Sequence, residues 1–149
     1  MIALDTNILV YARREETPHH REAAALLREL AEGATAWALL WPCIYEFVRV
    51  VTHPRVFAPP SPLEAVLTNL DGLFASPSVH IFGEGSRHPD HFRRMLSDGD
   101  GRGNLAHDAH IAALIVEHGI NELLTLDRDF ARFPAVRARN PFRPGRGLD

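Results

Sequence analysis

The sequence predicts an α/β fold in a single domain, and three observations predict it. Short apolar runs alternate with stretches of helical periodicity, the order expected of strands joined by crossover helices. Those runs are continuous rather than alternating, as in parallel strands covered on both faces. The 149 residues, 46% hydrophobic and 23% charged, suit one core of ordinary size. The domain is expected to span 1–149, with its core over about 2–142 and an irregular C-terminal tail.

Ile2 to Leu4 is the first strand, short and uninterrupted, and Thr6 to Ala12 starts a helix. His19 to Leu30 is a clearer helix, with Pro18 near its first turn and Ala23, Leu26, Leu27 and Leu30 on one stripe. Ala36 to Trp41 is the second strand. Pro42 then opens a helix through about Val51, which His53-Pro54 stops. Phe57 to Pro62 is a stiff proline-rich loop, and Leu63 to Phe74 an amphipathic helix. Val79 to Phe82 is a strand and Asp90 to Leu96 a short helix. Ser97 to Asn104, rich in Gly and Asp, is a loop because its glycines disfavour helix. Leu105 to His118 is a strong helix ended by Gly119. Glu122 to Leu126 is the last strand and Asp127 to Phe133 a helical turn, with an irregular tail after Pro134. Four strands separated by helices imply a parallel sheet with right-handed crossovers.

Composition excludes several classes of protein. Cys43 is the only cysteine, which removes a disulfide framework and a thiolate zinc site. No apolar run approaches the roughly 20 residues of a membrane helix. The opening MIALDTNILVYARR makes a poor signal peptide, because an acid interrupts its apolar stretch and its basic residues follow it. The expectation is a soluble protein of the reducing cytoplasm. Every basic side chain apart from histidine is Arg, and Lys is absent. Arg presents a planar fork suited to phosphate. The formal charge of −3 argues against a nucleic-acid partner, unless several acids surround a metal; neutralising four carboxylates moves the charge to +1.

Four acids stand out. Asp5 follows the first strand and Asp127 the last, and open parallel sheets bind ligands beyond the carboxyl ends of their strands. Helix capping is the simpler account of either acid alone. Asp108 opens the apolar segment DAHIAALIVEHG and shares a helical face with Ile111, Ala112 and Ile115, so it is expected to point inward. Glu46 sits among Tyr45, Phe47 and Val48, where an ion pair with Arg49 is an even alternative to a functional role. A buried carboxylate is costly unless it is paired or coordinated. Four of them together raise one another's pKa, and a divalent cation resolves that conflict. An all-oxygen ligand set suits Mg²⁺ or Mn²⁺ rather than zinc.

LDTNILVYA, YEFVRV, HDAHIAALIVEHG and LLTLDRDFARFP, in this order from Ile2 to about Phe142, resemble the PIN-domain ribonucleases. More narrowly, they resemble the VapC toxins of toxin–antitoxin pairs. The resemblance implies a PIN-like α/β/α sandwich and an Mg²⁺-dependent endoribonuclease that cleaves RNA by attack of activated water, with Mn²⁺ able to substitute. It implies that Asp5, Glu46, Asp108 and Asp127 form the catalytic acidic cluster, with Asp5 and Asp108 as direct metal ligands. Thr6 and Asn7 would hold Asp5 by hydrogen bonds. Asp129 matches a frequent family acid and is equally accounted for as a surface residue. Arg13, Arg14, Arg49, Arg55, Arg102 and Arg128 lie near enough to these motifs to be candidates for RNA phosphates. The implied partners are RNA, a small VapB-like antitoxin that fills the acidic groove, often through an inserted Arg, and a second copy in a homodimer.

Rival readings carry less. His107-Asp108 with His53 and Asp127 imitates the metal signature of HD-type phosphohydrolases, but that fold is all-helical. Asp98-Gly-Asp100-Gly opens like a calcium loop, yet Ala109 stands where the twelfth-position acid is needed. His88-x-x-His91 and His19-His20 lack thiolates or a third ligand and read as surface pairs. Cys43 reads as a core residue. Trp37, Trp41 and Phe57 are as readily core as contact surface. A PIN-like scaffold that binds RNA or a partner without cutting is the non-enzymatic alternative, and a DNA nuclease is the third class.

Overall fold

The computed structural model describes residues 1–143; residues 144–149, the end of the tail expected to be irregular, lie outside the described residues. In chain order the elements are β1 (Ile2–Leu4), α1 (Thr6–Arg13), α2 (His20–Glu32), β2 (Trp37–Leu40), α3 (Trp41–Val51) and α4 (Leu63–Phe74). There follow β3 (Val79–Phe82), α5 (His88–Asp98), α6 (Leu105–Glu117), β4 (Glu122–Leu124), a 3₁₀ turn (Arg128–Arg132) and β5 (Ala138–Arg139). All pairings are parallel, in the order β3-β2-β1-β4-β5.

Successive strand residues point to opposite faces, and this assigns the two helical layers. Ala3, Ala38, Leu40 and Leu123 join one core with Met95 of α5 and the buried residues of α6. Their neighbours Leu4, Trp37, Leu39 and Leu124 turn the other way, into a core with Ile8, Leu27, Phe47 and Val66 of α1 to α4. The result is the α/β/α sandwich. Ala109 and Ile111 to Ile115 are all buried, so α6 is enclosed on almost every side, as its continuous apolar sequence requires. It ends in a Schellman turn: Gly119 adopts φ +60°, Gly119 N donates to Val116 O and Ile120 N to Ile115 O. Trp37 is fully enclosed whereas Trp41 is exposed at the start of α3, so the two tryptophans divide between core and surface. Cys43 is completely buried.

The structure departs from the sequence reading mainly at the C-terminus. The segment expected to be irregular after Pro134 contributes β5, which pairs with β4 through Leu123↔Ala138 and Leu124↔Arg139. Two residues are too few to display a strand's period, and the flanking arginines read as loop. Arg139 makes a two-pronged contact with the Glu122 carboxylate, at 3.1 and 3.2 Å, and so charges this edge of the sheet. Helix α5 begins at His88, with Pro89 in its first turn, and takes Ser97 and Asp98 from the expected loop. The loop beyond must contain glycine at position 99, where a Cβ would lie 2.3 Å from the Phe133 ring.

From β1 the chain proceeds outward through β2 and β3 on one side, while β4 and β5 lie on the other. The strand order therefore reverses between the adjacent strands β1 and β4. Their carboxyl ends are where such sheets leave a crevice.

Candidate functional site

The β1–β4 register sets Leu4 opposite Leu124, so the next residues, Asp5 and Thr125, meet at the crevice. Asp5 is 5% exposed and both of its oxygens accept hydrogen bonds from the protein, with acceptor capacity left on Oδ1. Oδ1 accepts from Thr6 N at 2.8 Å, and Oδ2 accepts from Asn7 Nδ2 at 2.8 Å and Thr125 Oγ1 at 2.6 Å. Cys43 Sγ lies 3.9 Å from Oδ1, beneath the carboxylate. Asp5 is also the N-cap of α1, in extended geometry, so the capping account and the cluster account hold together. Thr125, fully buried, also accepts from Asp127 N at 2.9 Å and so ties the two strand-end acids together.

Glu46, from α3, stands beside Asp5. Its Oε2 accepts from Thr6 Oγ1 at 2.9 Å and pairs with His107 Nε2 at 3.0 Å, and Arg49 meets Oε1 at 3.2 Å. The expected Arg49 ion pair is therefore present, together with two further partners.

Opposite them lie Asp108 of α6, Asp127 and Asp129. One carboxylate oxygen from each of these three lies within 4.8 Å of the others. Asp127 Oδ1 caps the 3₁₀ turn through Asp129 N at 2.8 Å. The Asp108 carboxylate has no hydrogen-bond donor among the described residues. It is half-buried, not directed into the core with Ile111, Ala112 and Ile115, because it sits in the first turn of α6 where the helix emerges into the groove. That groove, about 860 Å³, is lined by Tyr45, Glu46, His107, Asp108, Asp127 and Asp129, and a recess of about 300 Å³ leads to Asp5.

The electrostatics follow from these partners. Burial pushes the Asp5 carboxyl up to about 6 against the pull of its Thr125 and Thr6 hydrogen bonds, with the Asp127 and Glu46 charges adding to the rise. Burial, then the Asp127 and Asp5 charges, push Asp108 up to about 6. Glu46 goes the other way, down to about 2, chiefly through its hydrogen bond from His107. The same bond raises His107. The ligand set fits a hard divalent cation: the donors are all carboxylate oxygens, and Asp108 presents its oxygens without a donor among the described residues.

The arginines separate clearly. Arg49 lines the groove, Arg128 is exposed next to Asp127, and Arg102 is exposed and paired with Asp100 at 2.8 Å. Arg55 is exposed after α3. Arg13 and Arg14 are not brought to the groove. Arg13 lines a different cleft between α1, α2 and α4, where its Nε is buried without a partner among the described residues. Arg14 is held by Glu16, by Ser61 Oγ at 3.0 Å and by Pro59 O at 2.8 Å, with its guanidinium 4.3 Å from the Phe57 ring centre, so it fastens the proline-rich loop. The sequence assigned no role to Thr125, and it assigned His107 one only in the rejected HD-type motif. The signal for Thr125 was a hydroxyl at the end of an apolar strand, but its partner depends on strand register.

The chain matches the PIN domain model over residues 2–136. It is 36% identical over 138 residues to Ribonuclease VapC48 of Mycobacterium tuberculosis, a match covering 93% of this chain and 95% of that protein. It is 38% identical over 141 residues to VapC ribonuclease Mb2897 of Mycobacterium bovis, covering 95% of each. Among solved structures, that of VapBC2 from Rickettsia felis bound to a DNA fragment from its promoter aligns with a TM-score of 0.67 and 21% identity, covering 94% of this chain and 98% of that one. At that identity the likeness is one of fold.

Proposed function

The chain belongs to the VapC ribonucleases of the PIN-domain family, and from that premise we propose that it is the Mg²⁺-dependent endoribonuclease toxin of a toxin–antitoxin pair, acting at the Asp5–Asp108–Asp127 groove. The observation that carries this reading is the wall of Asp108, Asp127 and Asp129, whose oxygens converge within 4.8 Å while Asp108 has no protein donor among the described residues.

In this reading Asp108 and Asp127, with Asp5 behind them, hold Mg²⁺, and Mn²⁺ substitutes. Asp129 supplies a further oxygen at the rim. A bound cation would supply Lewis acidity, lowering the pKa of water so that it loses a proton and attacks as a stronger nucleophile, and would offset the charge that builds on the phosphate. Thr6, Asn7 and Thr125 fix the Asp5 carboxylate in one orientation. Glu46, ionised down to about pH 2, holds Thr6 and His107 in place. Arg49 lines the groove and is placed to receive a phosphate, and Arg128, exposed next to Asp127, is a second candidate, which offsets the chain's net acidity toward RNA.

The same reading assigns three further properties. A small VapB-like antitoxin occupies the groove and neutralises its acids with an inserted Arg. The chain acts in the cytoplasm, in keeping with a fold in which no helix among the described residues is long and apolar enough to cross a membrane. It forms a homodimer, supported by the exposed apolar side chains Trp41, Tyr45, Leu63 and Leu67 on α3 and α4.

The test is cleavage of total RNA by purified protein with Mg²⁺, Mn²⁺ or EDTA, beside a folded Asp108→Asn variant. Metal-dependent cutting into discrete bands that disappears in the variant is expected. RNA binding without cutting by the wild type contradicts the enzyme and leaves the scaffold.

A further inference from the structure

A second cluster of metal-binding side chains lies on the same helix as Asp108 but carries different chemistry. His110 follows Asp108 by two residues on α6, Glu84 lies in the loop after β3, and His88 opens α5. One ligand atom from each lies within 4.8 Å of the other two. His110 Nε2 is 2.7 Å from Glu84 Oε1, and the His88 and His110 rings meet edge-on with centroids 5.1 Å apart.

Behind them is a fourth residue, Glu117. Its side chain is 8% exposed, and Oε2 accepts from His88 Nδ1 at 3.2 Å and Gly85 N at 3.3 Å. A buried carboxylate on one ring nitrogen fixes the tautomer and leaves Nε2 of His88 as the ring nitrogen open to a ligand. This is the carboxylate–histidine arrangement that supports metal-bound imidazoles. An ion pair accounts for Glu84 and His110 alone. It does not account for the third ligand atom, nor for a His88 side chain 11% exposed and oriented from behind by a buried acid. The sequence reading of His88 as a surface partner of His91 is corrected here: its neighbours come from α6 and from the β3–α5 loop.

We propose that Glu84, His88 and His110 form a Zn²⁺ site, with Glu117 orienting His88. Two imidazoles and one carboxylate make a nitrogen-rich set that favours zinc, in contrast to the all-oxygen set of the groove. A fourth position is left for water. The ion joins the β3–α5 loop and the start of α5 to the middle of α6, the helix that carries His107 three residues and Asp108 two residues earlier. Its role is to hold α6 against α5 beside the groove.

The probe is Co²⁺, whose tetrahedral complexes absorb visible light far more strongly than octahedral ones, added to the full chain in excess Mg²⁺. The expected result is one equivalent of tetrahedral Co²⁺, displaced by Zn²⁺. The band is expected to weaken at least about 10-fold in affinity in His110→Gln and in Glu84→Gln, both at accessible positions, and to persist in Asp108→Asn. Three results overturn the site: no tetrahedral band in the wild type, a band unchanged in both His110→Gln and Glu84→Gln, or a band lost in Asp108→Asn, which would place the ion in the groove. Thermal unfolding gives a second readout, since an ion bound only by the folded chain raises Tm with its concentration, and the rise must vanish with the band.

Discussion

The two walls of the acidic groove carry the same kind of charge under opposite conditions. On one wall Asp5 and Glu46 spend their oxygens on protein donors: Thr6, Asn7 and Thr125 for the first, and Thr6, His107 and Arg49 for the second. On the other, Asp108, Asp127 and Asp129 converge, and Asp108 meets no donor among the described residues. The difference separates two tasks. A saturated carboxylate is oriented, whereas an unsatisfied one is held in a costly state that a cation relieves.

Removing the unsatisfied wall gives the largest effect. Asp108→Asn is expected to lower RNA cleavage more than about 100-fold, beyond the 10–100-fold typical of residues that only orient a ligand. In EDTA at pH 7 the same variant should melt about 2–4 °C higher than the wild type, because a partly buried charge and its repulsion by Asp127 and Asp5 are both gone. Activity lost with stability gained is the signature; a variant that loses both would mean that Asp108 serves the fold.

Loosening the saturated wall comes next. Thr125→Val removes the hydroxyl that joins Asp5 to the backbone of Asp127, leaving a folded protein with cleavage and Mg²⁺ affinity reduced about 10–100-fold. Unchanged affinity would show that the orientation of Asp5 is set without Thr125.

Protons act on both walls. Asp5 and Asp108 both titrate near pH 6 in the cation-free protein, so a cation must displace protons there. Mn²⁺ affinity should fall about 3-fold between pH 7 and pH 6, where half of each carboxylate is protonated, and more steeply below. Cation-free stability moves the other way. A carboxyl with a raised folded-state pKa binds protons more tightly when folded, so its contribution is fully present below about pH 4 and is lost as pH rises through 6. Melting in EDTA at pH 5 and pH 7 checks the sign. The smallest effect is expected for His107→Gln, about 2-fold in cleavage, because Thr6 and Arg49 still hold Glu46.

Much of this was legible in the sequence. The continuous apolar runs revealed four strands, and the end of the first exposed Asp5 because position along a parallel strand needs no tertiary knowledge. The last of them stops at Leu124 and not at Leu126, so Asp127 lies three residues beyond it, brought to the same crevice by its backbone bond to Thr125. Helical phase identified Asp108, but its distance from the end of α6 decided that it faces the groove and not the core. Strand β5 was hidden because two residues show no period. Thr125 and the Glu84–His88–His110 cluster were hidden for another reason. Each depends on a contact across many residues, the β1–β4 register for the first and the packing of α5 on α6 for the second, and local pattern carries no such information.

The most direct test of the difference between the walls is Mn²⁺ affinity, followed by the loss of the free-ion paramagnetic resonance signal, in Asp108→Asn and Glu46→Gln beside the wild type. A loss of more than about 100-fold is expected for Asp108→Asn and only a few-fold for Glu46→Gln, whose charge is already met by His107 and Arg49. Equal losses, or a greater loss for Glu46→Gln, would contradict that difference.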